Sequence, residues 1–485
     1  MQGMRRPTVL STQAPPSTPS PLLLPTVLSG VFITILDFFI VNVAIPTVRL
    51  DLGAGPTAIE WIVAGYGLAY GAGLILGGRL GDLAGRRRVF ALGLAGFTLA
   101  SLACGLAGSP TALVLARIVQ GATAALLAPQ VLALIRAALP PARQARAINA
   151  YAVTMGLAAV FGQLAGGALI RADVFGLGWR ACFLINVPIG LAALALTRRV
   201  VPESRAEGAT RLDVGGAALI TFGLVAVLLP LIEGRAQGWP AWTWLSFVAA
   251  AGLLIAYARR PHPAPVIDPA VFREPAVTVG LVAQLAFTMT MAGYFLVFAL
   301  YTQQDRGLDA LGAGLIFAPI GVGYLSASLL APRLTRRLGR QTIALGGLTR
   351  AAALTLLLAL VAADAPLAAM APVLAIDGFG MGLALAPILG TVLARVAARH
   401  AGAAAGLLTT TQQVGGALGV GIIGVIFYGA DGGVAAGFRH GLVYLIAVAL
   451  LLAAVVQFLP SATAATPSGL DGTAANRQLA GREQR

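Results

Sequence analysis

Several charged residues lie inside long apolar stretches, where a charge can do chemistry that an exposed charge cannot. Asp37 lies in LDFFIVNVAIP, Arg117 in LVLARIVQGATAALLAP and Asp377 in LAIDGFGMG. If these stretches cross a membrane, inserting each charge costs at least about 2.5–3.5 kcal/mol. Asp37 is therefore expected to exchange a proton or to meet a cationic substrate, with an interhelical hydrogen bond as the alternative.

Buried arginines in the same kind of stretch need partners, because an arginine side chain stays charged. Asp37 is the candidate partner of Arg117, with bonding to backbone carbonyls alone as the alternative. Asp377 is expected to be a second site for a proton or a cation, or else a carboxylate capped by neighbouring glycine-rich helices. Arg350 has no sure partner, and we expect its side chain to reach towards the membrane surface.

The composition is that of a membrane protein. Hydrophobic residues make up 58% of the 485 residues and charged residues 11%, against about 25% charged residues in a typical soluble domain. These proportions exclude a soluble enzyme, a nucleic-acid-binding protein and a disordered chain. The net charge of +15 is expected to mark cytoplasmic loops, so no nucleic-acid partner is expected.

Fourteen apolar stretches are long enough to cross a membrane. Each is predicted to be a helix, because lipid cannot hydrogen-bond to the backbone. They lie at about 22–46, 58–79, 88–108, 111–136, 148–170, 181–201, 214–233, 242–258, 276–302, 310–331, 341–363, 366–394, 404–428 and 440–460. The segments outside them, 1–21 and 461–485, are predicted to be disordered cytoplasmic tails. The predicted fold class is an all-α integral membrane protein.

Internal repeats indicate two copies of one helical unit. GRLGDLAGRRR at 78–88 resembles PRLTRRLGRQT at 332–342, and LLAP at 126–129 resembles ALAP at 384–387. The two offsets, 254 and 258 residues, are nearly equal, as expected for two homologous halves. The predicted domains are a first six-helix bundle at 22–201 and a second at 276–460. Between them, the segment 202–275 is predicted to form two extra central helices with linkers.

Arginines are distributed unequally between alternate loops. With both termini inside the cell, 25 of the 33 arginines lie on the inner side, six lie outside and two lie within spans. Because positively charged residues stay on the cytoplasmic side, this distribution predicts an even number of spans and cytoplasmic termini. The arginine-only, alanine-rich composition indicates a GC-rich genome, and hence a bacterial plasma membrane.

The segment GRLGDLAGRRR contains residues suited to a mechanical role between two helices. Gly78 and Gly85 allow helix ends and a tight turn to approach closely. Asp82 can cap or pair with a neighbouring helix, while Arg86 and Arg87 can bind an anionic membrane surface. We predict a gating loop, with a simple positively charged cytoplasmic loop as the alternative.

The sequence contains no catalytic constellation. It has no H-E-x-x-H, no nucleophile elbow and no phosphate-binding loop of the Walker type. Its two cysteines and three histidines show no metal-ligand spacing. The protein is therefore expected not to be an enzyme and to need no metal or cofactor. Work must come from an ion gradient or from the gradient of the substrate, and a protonatable aspartate is a natural coupling group.

Together these motifs resemble the major facilitator superfamily, and within it the fourteen-span drug:proton antiporters of the EmrB/QacA type. LDFFIVNVAIP resembles the first-helix motif of that subfamily, GRLGDLAGRRR the loop motif between helices two and three, and WRACFLINVPIG the stretch that leads into helix six. Arg117, Gln120 and Gly121 match the fourth-helix motif, and TTTQQVGGALGVGIIG resembles the thirteenth helix. The resemblance covers nearly the whole chain, about 22–460.

The fifth helix departs from the antiporter motif of the family, which usually reads G-P-x-x-G-G. Here the motif consists of Gly162, Gln163, Gly166 and Gly167, with glutamine in place of the helix-kinking proline. Antiport is still the expectation, with uniport as the alternative. The glycines are also expected to allow close packing of neighbouring helices.

The resemblance implies proton-coupled export of amphipathic or cationic drugs by alternating access. Asp37 and Arg117 are the implied coupling residues, Asp377 is a further candidate, and the proton gradient serves in place of a cofactor. Residues predicted to line the substrate cavity are Asn42, Tyr66, Tyr70, Gln120, Gln284, Tyr294, Gln412 and Gln413. The expected partners are a small-molecule substrate and membrane lipids, and the expected state is a monomer. The alternatives are an importer or uniporter of a small metabolite or siderophore, and a non-transporting membrane sensor.

Overall fold

The structure, a computed structural model, describes residues 20–205, 213–261, 269–393 and 401–459. Throughout these residues the regular secondary structure is helical. The predicted tails lie outside the described residues, apart from residues 20 and 21. Part of the predicted linker segment 202–275 also lies outside them.

Sixteen α-helices follow one another along the described chain. The first eight are α1 Leu23–Leu52, α2 Pro56–Ala84, α3 Arg86–Gly105, α4 Pro110–Ala138, α5 Pro141–Ala172, α6 Ala181–Leu184, α7 Asn186–Val200 and α8 Val214–Glu233. The remaining eight are α9 Ala241–Arg259, α10 Pro275–Met289, α11 Met291–Leu300, α12 Ala310–Leu338, α13 Gln341–Ala362, α14 Leu367–Leu393, α15 Ala401–Tyr428 and α16 Gly433–Val455.

These helices form up to fourteen candidate membrane spans in the described residues, in agreement with the number predicted. The helices α6 and α7 belong to one continuous span, Gly178–Val200, and α10 and α11 belong to another, Pro275–Asp305. Helix α2 is bent by 46° between Leu74 and Leu76 and still counts as one span. The all-α membrane fold predicted from the sequence is confirmed.

Several helices extend beyond the predicted spans. The first span was predicted to close at Pro46, whereas α1 continues to Leu52. A proline is tolerated inside a membrane helix because neighbouring groups satisfy the freed carbonyl. The helix ends where Gly53 adopts a left-handed conformation, φ 65°, and its backbone N–H donates to the carbonyl of Arg49.

The predicted loop between the second and third spans is a single residue. Helix α2 continues to Ala84 and α3 begins at Arg86, so that Gly78 and Asp82 are helical. Gly85 lies between the two helices with φ 109°, a backbone conformation that residues with a Cβ rarely adopt. The chain therefore reverses direction within one residue, which brings the charged residues of the motif close together.

Two groups of helices pack internally and against each other. In the first bundle, α1–α7, the main pairings are α2 with α4, α3 with α4 and α1 with α5. In the second bundle, α10–α16, they are α12 with α14, α13 with α14 and α13 with α16. The bundles meet where α2 packs on α15 and α5 packs on α12. The predicted domain boundaries themselves stay predictions.

The extra pair α8 and α9 lies beside the junction of the bundles. The two helices pack on each other, and α8 also contacts α2 and α15, one helix from each bundle. An indole hydrogen bond joins the pair to the first bundle, since Nε1 of Trp61 donates to Oε1 of Glu233 at 3.0 Å. The pair therefore bridges both bundles.

Polar contacts join the two bundles at the end where α1 ends and α2 begins, called here the α1–α2 end. Arg49 donates to Oε1 of Gln304 at 2.9 Å, and Gln303 donates to the carbonyl of Val43 at 3.2 Å. Arg171 and Asp309 form an ion pair at 3.5 Å. These contacts hold the bundles together at the α1–α2 end. The opposite end, where α2 meets α3, is called the α2–α3 end.

Candidate functional site

Asp37 lies near the middle of α1, and its side chain is completely buried. Arg117 on α4 donates to Oδ2 of this carboxylate and forms an ion pair with it. Oδ1 accepts hydrogen bonds from Nε2 of Gln120 at 2.8 Å and from Nδ2 of Asn186 at 2.9 Å. The structure thus brings together the predicted pair, Asp37 and Arg117, with side chains from α1, α4 and α7.

Arg117 is held on every side by other groups of the first bundle. Its Nε donates to the carbonyl of Ile62 at 3.0 Å, and one terminal nitrogen donates to Oε1 of Gln120 at 2.6 Å. Its guanidinium carbon lies 4.2 Å from the ring centroid of Tyr66. The arginine therefore bonds both to a backbone carbonyl and to the carboxylate, and the alternative that it bonds to backbone carbonyls alone was wrong.

Two members of this network, Asn186 and Ser101, were missed in the sequence. Gln120 donates to the hydroxyl of Ser101 at 2.8 Å, and Asn186 lies 3.4 Å from the same hydroxyl. Both residues are completely buried. Each is a polar residue in an apolar stretch, and Asn186 lies within WRACFLINVPIG, so the same signal that selected Asp37 was present for them.

Asp377 on α14 and Arg350 on α13 form a second buried pair. Nε of Arg350 lies 3.3 Å from Oδ1 of Asp377, and both side chains are almost fully buried. The guanidinium lies 5.6 Å from the ring centroid of Phe287 and 5.9 Å from that of Tyr294. The expectation that Arg350 reaches the membrane surface was therefore wrong, because the facing carboxylate and the aromatic rings hold its charge inside the second bundle.

Glu60 on α2 is a buried carboxylate that the sequence analysis overlooked. It is 1% exposed, and its Oε1 has no hydrogen-bond partner among the described residues. It faces Gly424 on α15, where an added Cβ would lie 2.5 Å from Oε1. Glu233 and Arg235, at the end of α8, are its charged neighbours. Because Glu60 comes only five residues after Gly55, the sequence placed it near a span end, where a charge is unremarkable.

At the α2–α3 end, the predicted gating residues form ion pairs with one another and with a third segment. Asp82 and Arg86 pair at 3.0 Å. Glu203, which follows α7, accepts the backbone N–H of Arg87 at 3.1 Å and lies 3.6 Å and 3.7 Å from the side chains of Arg87 and Arg88. Glu203 was missed because its partners are over 100 residues away in the chain.

The glycines of the fifth-helix motif lie where α5 crosses its neighbours. A Cβ at Gly162 would lie 2.9 Å from the carbonyl oxygen of Leu36, and one at Gly166 would lie 2.8 Å from the side chain of Ile40, both on α1. A Cβ at Gly167 would lie 2.8 Å from the Cα of Leu311 on α12. The glycines therefore allow α5 to approach α1 and α12 closely.

Between the bundles is a cavity with a volume of about 840 Å³ when its opening to solvent is included. Its wall is formed by α1, α5, α10, α11, α12, α14 and α15. Its wall is rich in aromatic rings and methionines, namely Phe39, Phe287, Phe295, Phe317, Tyr324, Met155, Met291 and Met381. Two carboxamides, Gln163 and Gln412, also line it. Among the described residues that form the wall, none is charged.

Of the eight residues predicted to line the cavity, the structure places Gln412 in its wall. Tyr66 and Gln120 belong to the network around Asp37. Asn42 donates to the carbonyls of Phe38 and Phe39 within α1. Tyr294 stands beside Arg350. The others are Tyr70 and Gln413, which lie on the packed helices α2 and α15, and Gln284, which is buried in α10.

Up to fourteen apolar spans in the described residues, a cavity between two bundles and two arginine–carboxylate pairs buried inside the bundles are the architecture of a multi-pass membrane transporter and not of an enzyme. Residues 27–420 match the Major Facilitator Superfamily, and the chain belongs to this superfamily.

Comparison with individual proteins gives the same result. The chain is 37% identical over 417 residues to the probable actinorhodin transporter of Streptomyces coelicolor, covering 84% of this chain and 72% of that protein. It is 36% identical over 457 residues to the puromycin resistance protein pur8 of Streptomyces alboniger, covering 89% of this chain and 90% of that protein.

A solved structure has a similar fold at low sequence identity. It is that of a bacterial homologue of the human lysosomal transporter Spinster, in an inward-facing and unoccupied conformation. The TM-score is 0.64 at 17% identity, and the similarity covers 90% of this chain and 96% of the other. At this identity the similarity concerns the fold alone.

Proposed function

We propose that the protein exports small amphipathic or cationic drugs, antibiotics among them, in exchange for protons, as a member of the fourteen-span drug:proton antiporter subfamily. The names of its relatives support the class of substrate, since one is a probable actinorhodin transporter and another a puromycin resistance protein. The proton gradient supplies the energy, and no cofactor takes part.

The observation that carries the proposal is the position of Asp37. Its carboxylate is bonded to Arg117, Gln120 and Asn186, whereas Ile35 and Phe39, two residues to either side on α1, line the cavity. One helix therefore carries both the titratable group and part of the substrate wall. A change in the charge of Asp37 can reach the cavity through α1 alone.

The coupling step follows from the ion pair. A proton that binds to Asp37 removes the negative charge that balances Arg117, and leaves the buried guanidinium without a counter-charge. This favours a different arrangement of α1 against α4 and α7. Release of the proton restores the pair. In the proposed cycle Asp37 binds its proton in the arrangement open to the outside and releases it in the arrangement open to the cytoplasm, where the substrate binds. Substrate and proton therefore move in opposite directions.

The proposed orientation places both termini and the α2–α3 end in the cytoplasm of a bacterium, with the protein in the plasma membrane. The distribution of arginines supports this orientation. The α1–α2 end, where the bundles are joined, then faces the outside of the cell. We propose that the protein works as a monomer, and that Arg86 and Arg87 contact anionic lipid headgroups.

The experiment that tests the proposal uses everted membrane vesicles with an acidified lumen. A panel of cationic and neutral amphipathic compounds, beginning with puromycin, is added while the pH gradient is followed by a fluorescent probe. Asp37→Asn is the test variant. Asp173→Asn is the matched control, because the same chemical change is made at an exposed residue after α5.

At least one compound is expected to dissipate the gradient with the wild type and with Asp173→Asn, and not with Asp37→Asn. If labelled compounds move without any change in the pH gradient, antiport is replaced by uniport or import. If no compound moves at all while the protein is folded and correctly inserted, drug export is replaced by import or uniport of another kind of molecule, or by a sensor without transport.

A further inference from the structure

Among the described residues, the wall of the cavity bears no charge that a bound cation could meet. Two buried carboxylates, Asp37 and Asp377, are turned into the bundles, where each is paired with an arginine. Asp37 is enclosed by Arg117 and its neighbours, and Asp377 faces Arg350. A cation in this cavity would be desolvated without a counter-charge, and the faces of the aromatic rings would offset only part of that cost.

Aromatic rings stand between the cavity and the nearest guanidinium. Phe287 lines the cavity and lies 5.6 Å from the guanidinium carbon of Arg350. Around it, Phe39 and Phe295 meet edge to face with centroids 5.4 Å apart, and Phe295 lies 5.4 Å from Phe317. Such a surface binds flat apolar and aromatic molecules through stacking and edge-to-face contacts. The flexible methionines beside the rings adapt to irregular shapes.

One polar group in this wall has nothing to bond to. The side chain of Gln163 is 4% exposed and lines the cavity, and neither its Oε1 nor its Nε2 has a hydrogen-bond partner among the described residues. Its position is fixed, because its backbone carbonyl oxygen would lie 2.7 Å from a Cβ at Gly314 on α12. A buried carboxamide without partners is costly for the fold unless something else bonds to it.

We propose that the cavity binds an uncharged aromatic molecule that carries carbonyl or hydroxyl groups, and that Gln163 is the residue that recognises those groups. Nε2 donates to a carbonyl oxygen of the substrate, and Oε1 accepts from a hydroxyl. The inference rests on the proposed function, because it takes this cavity as the transport site. It narrows the substrate class from amphipathic and cationic compounds to uncharged aromatic ones.

The test measures binding alone, with purified full-length protein in lipid nanodiscs and radiolabelled compounds, after subtraction of binding to empty nanodiscs. Three probes share flat fused rings. They are 2,6-dihydroxyanthraquinone, whose hydroxyls are free to donate and which is used at a mildly acidic pH where it is uncharged; anthracene, which lacks oxygen atoms; and ethidium, which is a cation. The test variant is Gln163→Leu. The control is Gln457→Leu, at an exposed amide at the end of the second bundle.

The wild type and Gln457→Leu are expected to bind the dihydroxyanthraquinone about tenfold or more tightly than ethidium. Gln163→Leu is expected to weaken that binding about five- to tenfold, as for the loss of one or two hydrogen bonds, and to leave the binding of anthracene unchanged. The inference is overturned if ethidium binds the wild type as tightly as the dihydroxyanthraquinone. It is also overturned if folded Gln163→Leu binds all three probes as the wild type does.

A second variant that binds more tightly than the wild type excludes misfolding as the reason for weaker binding by Gln163→Leu. Gln163→Glu is assayed with ethidium at a mildly alkaline pH, because burial disfavours the charged form of a carboxyl group. The ionised glutamate is expected to strengthen the binding of ethidium about tenfold, a gain that an unfolded protein cannot show. Failure of the proposed function is distinguishable from failure of this inference. If these binding results hold and vesicles show no export, the binding site stands and the transport proposal fails. If export is observed and substitution of Gln163 has no effect on binding, the transport proposal stands and the inference about Gln163 fails.

Discussion

At the residue scale, the two buried ion pairs differ in how completely their carboxylates are bonded. Asp37 accepts hydrogen bonds from Arg117, Gln120 and Asn186. The oxygens of Asp377 make no hydrogen bond with described residues and rely on the charge of Arg350, 3.3 Å away. Hydrogen bonds offset part of the free-energy cost of desolvating a buried charge. The carboxylate of Asp37 is therefore held in place more strongly than that of Asp377.

Removal of one partner of the fixed pair is expected to be costly. Arg117→Leu should lower the free energy of unfolding by about 3–5 kcal/mol, because Asp37 stays buried without its counter-charge. Adding Asp37→Asn to that variant should recover most of the loss. The measurement is reversible unfolding in mixed micelles by titration with a denaturing detergent.

The control is the partly exposed ion pair of Arg180 and Asp51. A terminal nitrogen of Arg180 lies 2.7 Å from Oδ2 of Asp51, and the two side chains are 30% and 46% exposed. Arg180→Leu is expected to cost about 1 kcal/mol or less, as for other partly exposed pairs. A loss in Arg117→Leu as small as that of the control, or a double variant no more stable than the single one, would contradict the argument.

At the element scale, glycines decide how closely helices of different bundles approach. Gly167 faces the backbone of α12, with a Cβ placed 2.8 Å from the Cα of Leu311. Backbone atoms cannot rotate away as a side chain can, so even a methyl group must push α5 and α12 apart. This crossing joins the two bundles, and its separation would weaken the closed α1–α2 end.

Gly167→Ala is therefore expected to destabilise the protein by about 1–3 kcal/mol, in the range measured for overpacking. Gly252→Ala is the matched control, since Gly252 lies inside helix α9 and a Cβ there would meet nothing within 4 Å. The control should gain up to about 1 kcal/mol from helix propensity alone. Thermal unfolding in detergent measures both, and equal changes in the two variants would refute the assigned crossing.

A second prediction at this scale concerns the start of α3. Glu203 accepts the backbone N–H of Arg87 and lies beside two arginine side chains, so it combines a cap with a favourable charge at a helix N-terminus. Glu203→Ala is expected to lower the free energy of unfolding by about 1–2 kcal/mol. The same measurement applies to Glu274→Ala as the control. Glu274 precedes α10 without making a side-chain cap, and its loss should have little effect.

At the scale of the whole molecule, two bundles joined at the α1–α2 end enclose the cavity. Alternating access requires this end to open during each transport cycle. Arg49 and Gln304 lie on opposite bundles with a hydrogen bond of 2.9 Å between their side chains. Gln341 and Gln457 both lie in the second bundle, and Nε2 of Gln341 donates to Oε1 of Gln457 at 2.8 Å. The two pairs distinguish motion between bundles from motion inside one.

Cross-linking of Arg49→Cys with Gln304→Cys by a short bifunctional thiol reagent is expected to abolish export, and reduction should restore it. The same treatment of Gln341→Cys with Gln457→Cys should leave export intact. Drug flux in vesicles measures both, and the native Cys104 and Cys182 are buried, which limits background reaction. Export by the cross-linked Arg49/Gln304 variant would show that this end does not open.

Much of the architecture was predictable because hydropathy is a local property. A helix of about 20 apolar residues crosses a membrane whatever its neighbours are, so the number of spans followed from the sequence. Their ends did not, since a span end depends on capping groups and on whether a proline such as Pro46 is supported by other helices. The pairing of Asp37 with Arg117 was predictable because each deep charge needs a partner, and few candidates were present.

The sequence by itself determined the membrane class, the fourteen spans, and Asp37 and Arg117 as the residues to examine. Only the tertiary structure decided that Asn186 and Ser101 complete their network, that Arg350 pairs with Asp377, and that Gln163 lines an uncharged cavity. The physical reason is that a membrane helix is apolar on most of its faces, so its sequence does not show which face meets which neighbour. These groups are brought together by packing between helices that are distant in the chain.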